Sequence, residues 1–273
     1  MRDRFARAAA SYDEAAVLAK ETGRRLAERL DYVKIAPRRV ADIGCATGDG
    51  IRELQRRYPD ALPIAMDYAR PMLERVRAAS PWLSRLTGRA PRLVNADVRA
   101  LPLAHDSLGL AWSNLMLHWL DDPLPALREL HRALEVGGLL TFAMLGPDTL
   151  KELRAAGATT LRGFHDMHDI GDMLVAAGFA DPVMEMEMVE FAYGSARGLL
   201  RDQRRLGVRD DLLGAMDFRT ARHVLRNWEA QRRDGRLPAT FEIVYGHAWK
   251  AAPKLAADGR AIVSFHARAQ GPN

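Results

Sequence analysis

A glycine-rich turn and the acid that follows it are the residues whose types and spacing could do chemistry in this chain. Residues 39–50, Arg39-Val40-Ala41-Asp42-Ile43-Gly44-Cys45-Ala46-Thr47-Gly48-Asp49-Gly50, read as a buried strand that stops at a turn and leads straight into a helix. Such a junction lets backbone approach a ligand closely and aims unpaired helix N–H groups at it. Asp67 closes the next apolar run, 62–66. An acid about 20 residues past the turn, at the end of the second strand, can take the hydroxyls of a ribose. Together they imply a nucleoside-containing cofactor. A dinucleotide fits poorly, because the first, third and sixth places of its fingerprint, counted from Gly44, hold Gly44, Ala46 and Asp49. An acid at the sixth place repels a pyrophosphate but tolerates a cationic ligand, such as the sulfonium of S-adenosylmethionine (SAM).

The elements that must position these residues alternate. Strands are expected over 62–67, 92–96 (ending at Asp97), 108–113 and, after a turn at Gly137-Gly138, 139–145. Helices are expected over 69–79, with Pro71 tolerated in the first turn, and over 123–134. This alternation with short links is the pattern of an α/β, doubly wound parallel sheet. A helix over 166–177, stopped by Gly178, and strands over 182–191 and 240–250 follow. Between those two strands lies arginine-rich helical sequence, 195–237, too long for a plain connector and expected to form a lid or cap. The chain is expected to be one domain, 1–273. Its core would take in about 36–145, 166–192 and 238–250, and its helical cap 1–30, 146–165 and 195–237. The cap should collect over the carboxyl ends of the strands, where ligands bind in such sheets.

The bulk composition narrows the classes. The chain has 273 residues, 48% hydrophobic and 27% charged, which suits an ordinary globular domain. Acids among the N-terminal arginines and the lack of an apolar core segment there argue against a secretory signal, and no run is long enough to span a membrane. The single cysteine, Cys45, suits a cytoplasmic protein and is expected to pack rather than react. A net charge of +5 favours acidic partners. The arginines are interleaved with glutamates and form no aromatic-basic stripe, so nucleic acid is not expected.

By the fifth strand the sequence resembles the class I SAM-dependent methyltransferases. Asp42, Gly44, Ala46 and Gly48 stand at the positions of that family's first motif, with Ala46 in place of the usual middle glycine. Asp67 matches its ribose-binding acid, Asp97 with Val98 the pair that holds the adenine amino group, and Asn114 the end of strand four beneath the methionine moiety. Two further stretches, Phe5-Ala6-Arg7-Ala8-Ala9-Ala10-Ser11-Tyr12-Asp13 and Trp112-Ser113-Asn114-Leu115-Met116-Leu117-His118-Trp119, are similar to malonyl-acyl-carrier-protein O-methyltransferases, the BioC family of biotin synthesis. So is Leu200-Arg201-Asp202-Gln203-Arg204-Arg205-Leu206-Gly207, although Gln203 and Arg205 occupy positions that are usually apolar or small. Gly146-Pro147-Asp148-Thr149-Leu150 and Gly246-His247-Ala248-Trp249-Lys250 instead resemble a mitochondrial complex I assembly factor that hydroxylates an arginine on the same fold.

The first resemblance implies a Rossmann-like, mostly parallel seven-stranded sheet. It also implies SAM as cofactor and esterification of a malonyl thioester on acyl carrier protein, or on coenzyme A, as the reaction. Tyr12 would close over SAM. A carboxylate is its own nucleophile at neutral pH, so no general base is needed, but a cation should hold it, preferably a bidentate guanidinium. Arg201 and Arg204 are the candidates, with His118 and Trp119 touching substrate. The run His165-Asp166-Met167-His168-Asp169 reads as a helix cap, Asp166 or Asp169, rather than a metal site. Met184, Met186 and Met188 alternate as a strand should and are expected in the core.

Overall fold

A computed structural model describes residues 1–86 and 88–252. The end of the expected domain 1–273, after residue 252, lies outside the described residues. Seven strands form one sheet: β1 (Arg39–Ile43), β2 (Leu62–Asp67), β3 (Arg92–Asn95), β4 (Leu108–Asn114), β5 (Leu134–Leu145), β6 (Ala180–Tyr193) and β7 (Leu237–Trp249). Their order is β3-β2-β1-β4-β5-β7-β6. The first five run parallel, and β7 inserts antiparallel between β5 and β6.

Successive side chains of β1 face opposite sides of the sheet, as strand geometry requires. Val40 joins the apolar layer formed with Leu26, Leu30 and Leu54. Ala41 and Ile43 belong to the opposite layer, with Leu127, Leu130 and Phe142. Both faces are covered, which is why these strands read as continuous apolar runs rather than alternating ones.

Eleven α-helices are described, besides three short 3-10 turns: α1 (Arg2–Ala8), α2 (Val17–Arg29), α3 (Asp49–Arg57), α4 (Arg70–Ala79), α5 (Trp82–Leu86), α6 (Leu124–Ala133), α7 (Lys151–Ala155), α8 (Met167–Ala176), α9 (Ala196–Arg205), α10 (Arg209–Leu213) and α11 (Phe218–Glu229). The helix α6 buries Ala126, Leu127, Leu130 and Ala133, one stripe at helical spacing. At the start of α8, Asp166 is the N-cap and accepts from the His168 amide at 2.8 Å.

Three expectations need correction. Gly137-Gly138 does not precede the fifth strand: β5 begins at Leu134 and passes through both glycines, and its register with β4 shifts between Leu108 and Leu110. A strand tolerates that irregularity because Gly137 adopts φ +81 without a side chain to clash. Met184 packs against the α6–α8 layer, but Met186 and Met188 on the same strand face are exposed, because β6 is an edge strand that extends past its covering helix. The segment 1–30 does not lie wholly in the cap: α2 covers the sheet, with Leu26 and Leu30 in the layer of Val40. The insertion is helical, and it breaks at Gly207 and Gly214, both at positive φ, into α9, α10 and α11.

Candidate functional site

The carboxyl ends of β1, β2 and β4 open onto a cavity of about 530 Å³. Gly44 and Ala46 from the first turn, Asp67 from β2, Asp97 and Val98 after β3, and Asn114 from β4 all line it. The turn is held by backbone: the Gly44 and Cys45 amides both donate to the Met66 carbonyl, at 2.8 and 2.9 Å. Gly44 sits at φ +75, and a Cβ there would lie 2.4 Å from Met116 Cγ. Ala46 takes φ +44 despite its methyl group, the strained solution where the methyltransferase motif has glycine.

Asp67 is buried, and its two oxygens accept from the Ala46 and Ala69 amides at 3.0 and 2.8 Å. Burial outweighs those bonds and pushes the carboxyl up to about 6. Asp97 differs: Arg99 grips it at 2.7 and 3.0 Å, which lowers its pKa. Asn114 donates to the Ala19 carbonyl at 2.8 Å and accepts from Thr22 at 2.9 Å, so it also ties α2 to the end of β4.

Two residues expected at the cofactor stand behind the turn instead. Asp42 is absent from the cavity wall. It is buried beneath the start of α3, where it accepts from the Ile51 amide, and burial pushes it up to about 7. Gly48 caps α3 at φ +93 and faces Val76. Both shape the loop without lining the cavity. Asp49, whose charge argued against a pyrophosphate, also points away and pairs with Arg52.

A second cavity, about 210 Å³, adjoins the first. Phe5, Tyr12, Leu115 and Trp119 line both, so they ring the place where the two meet. The N-terminal segment brings Phe5 and Tyr12 there. It is clipped down by Arg4 to Asp211 at 2.6 Å, by Ser11 to the Arg205 carbonyl at 3.1 Å, and by Thr47 to Asp13 at 2.5 Å. His118 lines the smaller chamber, and its Nδ1 accepts from the Leu145 amide at 3.3 Å. Burial, with the nearby Arg162 charge, pushes its pKa down to about 3, so the imidazole is neutral at physiological pH.

Arg201 and Arg204 do not enter this chamber. The helix α9 turns Leu199 and Gln203 inward, and the two arginines project outward on the other face. Arg201 lies 3.7 Å from Asp202, and Arg204 lines a separate groove with Arg4, Arg7, Ser11 and Arg209. The cation nearest His118 and Trp119 is one the sequence reading missed. Arg162 stacks its guanidinium 5.8 Å from the Trp119 ring centre and donates to the Trp119 carbonyl and to Asp121. No motif marks it, since it sits in an irregular segment between α7 and α8.

Comparison with known proteins finds relatives in sequence and in fold. Residues 41–142 match the family described as "Methyltransferase domain". A malonyl-[acyl-carrier protein] O-methyltransferase of Gallionella capsiferriformans is 48% identical over 273 residues, covering 96% of this chain and 94% of the relative. One from Laribacter hongkongensis is 47% identical over 284 residues, covering 98% and 96%. Among solved structures, Haemonchus contortus phosphoethanolamine N-methyltransferase 2 in complex with S-adenosyl-L-methionine superposes with a TM-score of 0.54 at 16% identity. That match covers 89% of this chain and 57% of the other, and it speaks to the fold alone.

Proposed function

The chain belongs to the malonyl-[acyl-carrier protein] O-methyltransferase family, and from that footing we propose that it esterifies the free carboxyl of a malonyl thioester carried on acyl carrier protein. It is a SAM-dependent O-methyltransferase with the class I, Rossmann-like fold, and its resemblance to the BioC family supports a role in early biotin synthesis. The observation that carries the proposed reaction is the pair of joined cavities, a larger one at the strand ends with a buried carboxylate in its wall and a smaller one beneath the cap.

The larger cavity fits a nucleoside cofactor. It falls within the usual ligand-pocket range of roughly 300–1,000 Å³ and offers a buried carboxylate beside a backbone-lined turn. Asp67 would accept from the ribose hydroxyls, Gly44 and Ala46 would give close backbone approach, and Asp97 with Val98 would border the adenine. Asn114 and Tyr12 would border the methionine end. SAM supplies an electrophilic methyl on a sulfonium, which leaves as a neutral thioether. The protein's own task is alignment. The ring of Phe5, Tyr12, Leu115 and Trp119 restricts approach to one line and excludes water, and such orientation is worth roughly 7–11 kcal/mol. No proton need be removed from a carboxylate, which suits a chamber whose histidine stays neutral.

In this reading α1, α9, α10 and α11 with the 146–165 segment act as the cap over the core. Arg7 and Arg204, exposed in one groove outside the cap, suit an acidic carrier protein better than a buried carboxylate. A cytoplasmic location accords with this reading, and no helix among the described residues is long and apolar enough to cross a membrane. The curated relatives favour methyl transfer over the hydroxylating alternative. The test is to supply methyl-labelled SAM with malonyl carrier protein or malonyl-CoA and follow label into a base-labile product. No label in either acceptor, with SAM still bound, would overturn the reading.

A further inference from the structure

Two buried polar side chains of the smaller chamber each offer an N–H with no acceptor among the described residues. Gln203 is 4% exposed, and its amide makes no hydrogen bond among the described residues. His118 is 3% exposed; its Nδ1 is occupied by the Leu145 amide, which leaves the proton on Nε2, and no acceptor meets that N–H among the described residues. Neither the Gln203 amide nor the His118 Nε2 is among the sealed polar atoms that lack a partner, so both face the open space of the chamber, where a bound group can meet them. Both donors line one cavity of about 210 Å³, so a single small acyl group can span them.

The charges around them differ. Arg162 sits on the His118 side, close enough to depress that imidazole, whereas Asp202 lines the chamber next to Gln203. An anion is therefore drawn towards His118 and away from Gln203, where a neutral oxygen is better accommodated.

We propose that the His118 Nε2–H donates to the acceptor's carboxylate and the Gln203 side-chain amide donates to its thioester carbonyl, so that the pair measures a short acyl chain with an oxygen function at each end. This rests on the methyltransferase reading above and assigns the acceptor end of the same site. It orients the carboxylate beside the ring shared by the two cavities, where the methyl must cross.

The experiment measures binding of malonyl- and acetyl-loaded carrier protein to the full chain saturated with S-adenosylhomocysteine, for the wild type and three variants. His118→Phe should weaken malonyl binding about tenfold and leave acetyl binding unchanged, which abolishes the preference between them. Gln203→Met, nearly isosteric, should weaken both by a similar factor and keep the preference. His118→Gln, whose amide can accept from Leu145 and donate to the acceptor, should retain the preference and guards against misreading a folding defect. The proposal is overturned if His118→Phe keeps its malonyl preference, or if Gln203→Met binds both probes as the wild type does. Failure of the wild type to methylate malonyl carrier protein would instead refute the underlying reading, so the two failures are distinguishable.

Discussion

The Ala46 amide donates to Asp67 Oδ2 at 3.0 Å, so the strained residue of the first turn is fixed by the acid that closes the second strand. Removing the carboxylate loses the anchor of the turn and, in the proposed function, the acceptor for the ribose hydroxyls. Asp67→Ala should raise the Michaelis constant for SAM by roughly ten- to a hundredfold, given about 1.5–3 kcal/mol for a hydrogen bond to a charged group. Turnover at saturating SAM should change far less. Steady-state kinetics with SAM varied at fixed acceptor checks the split, and an equal fall in both constants would argue against it.

The same buried acids set a pH dependence. Asp42 and Asp67 have folded pKa values raised to about 7 and about 6, above the ordinary carboxylate value near 4. Between those limits the folded chain holds more protons than the unfolded chain, so their contribution to stability falls as pH rises and is lowest above both values. Unliganded protein should lose stability from these groups between about pH 4 and pH 7. SAM affinity should rise over the range near pH 6, as Asp67 ionises. Thermal melts across pH with and without SAM test both signs; a ligand-induced shift that shrinks above pH 6 would contradict the role given to Asp67.

Gly50 faces Asp42 and Trp112 closely: a Cβ there would sit 2.6 Å from Asp42 Oδ2 and 2.8 Å from Trp112 Nε1. Neither neighbour can yield easily, since both are buried. Gly50→Ala should cost about 1–3 kcal/mol of stability by overpacking. In a chain of this size that lowers the melting midpoint by about 2–4 °C per kcal/mol, measurable by calorimetry.

A buried carboxylate also joins the cap to the sheet. Glu152 in α7 accepts from the Thr240 amide at 3.0 Å and from the Thr240 hydroxyl in β7. Truncation in Glu152→Ala strands two donors, at about 1–3 kcal/mol each. Denaturant unfolding should show the loss, whereas Glu152→Gln, which keeps one acceptor oxygen, should lose less.

Much of this was readable in the chain. The bounds of β2 follow from its apolar run between Ala61 and the acid at its end, and the cofactor-side wall follows from one turn and two strand-end acids. The acceptor side was harder. Arg201 and Arg204 looked suitable by charge, yet the helical phase of Leu199, Gln203 and Leu206 already marked the opposite face of α9 as inward. Arg162 carried no local signal, because its place beside Trp119 depends on how an irregular segment folds back over the sheet. Met186 and Met188 misled because alternation shows which residues share a face but not whether anything covers it.

Charge outside the cap gives a separate prediction. Arg7 and Arg204 are exposed in one groove, so Arg7→Glu with Arg204→Glu should raise the Michaelis constant for malonyl carrier protein several-fold and flatten its dependence on salt. The constant for SAM should not move. Kinetics at two ionic strengths decide it; an unchanged salt dependence would remove this groove from the docking surface.

In the proposed reaction a methyl group passes from SAM to the free carboxyl of a malonyl thioester through the ring of Phe5, Tyr12, Leu115 and Trp119. The most direct measurement releases the acyl group from carrier protein after reaction with isotope-labelled SAM and identifies it by mass spectrometry. The expected product is malonate monomethyl ester bearing the labelled methyl. Recovery of unmodified malonate, or label on the carrier polypeptide alone, would contradict it.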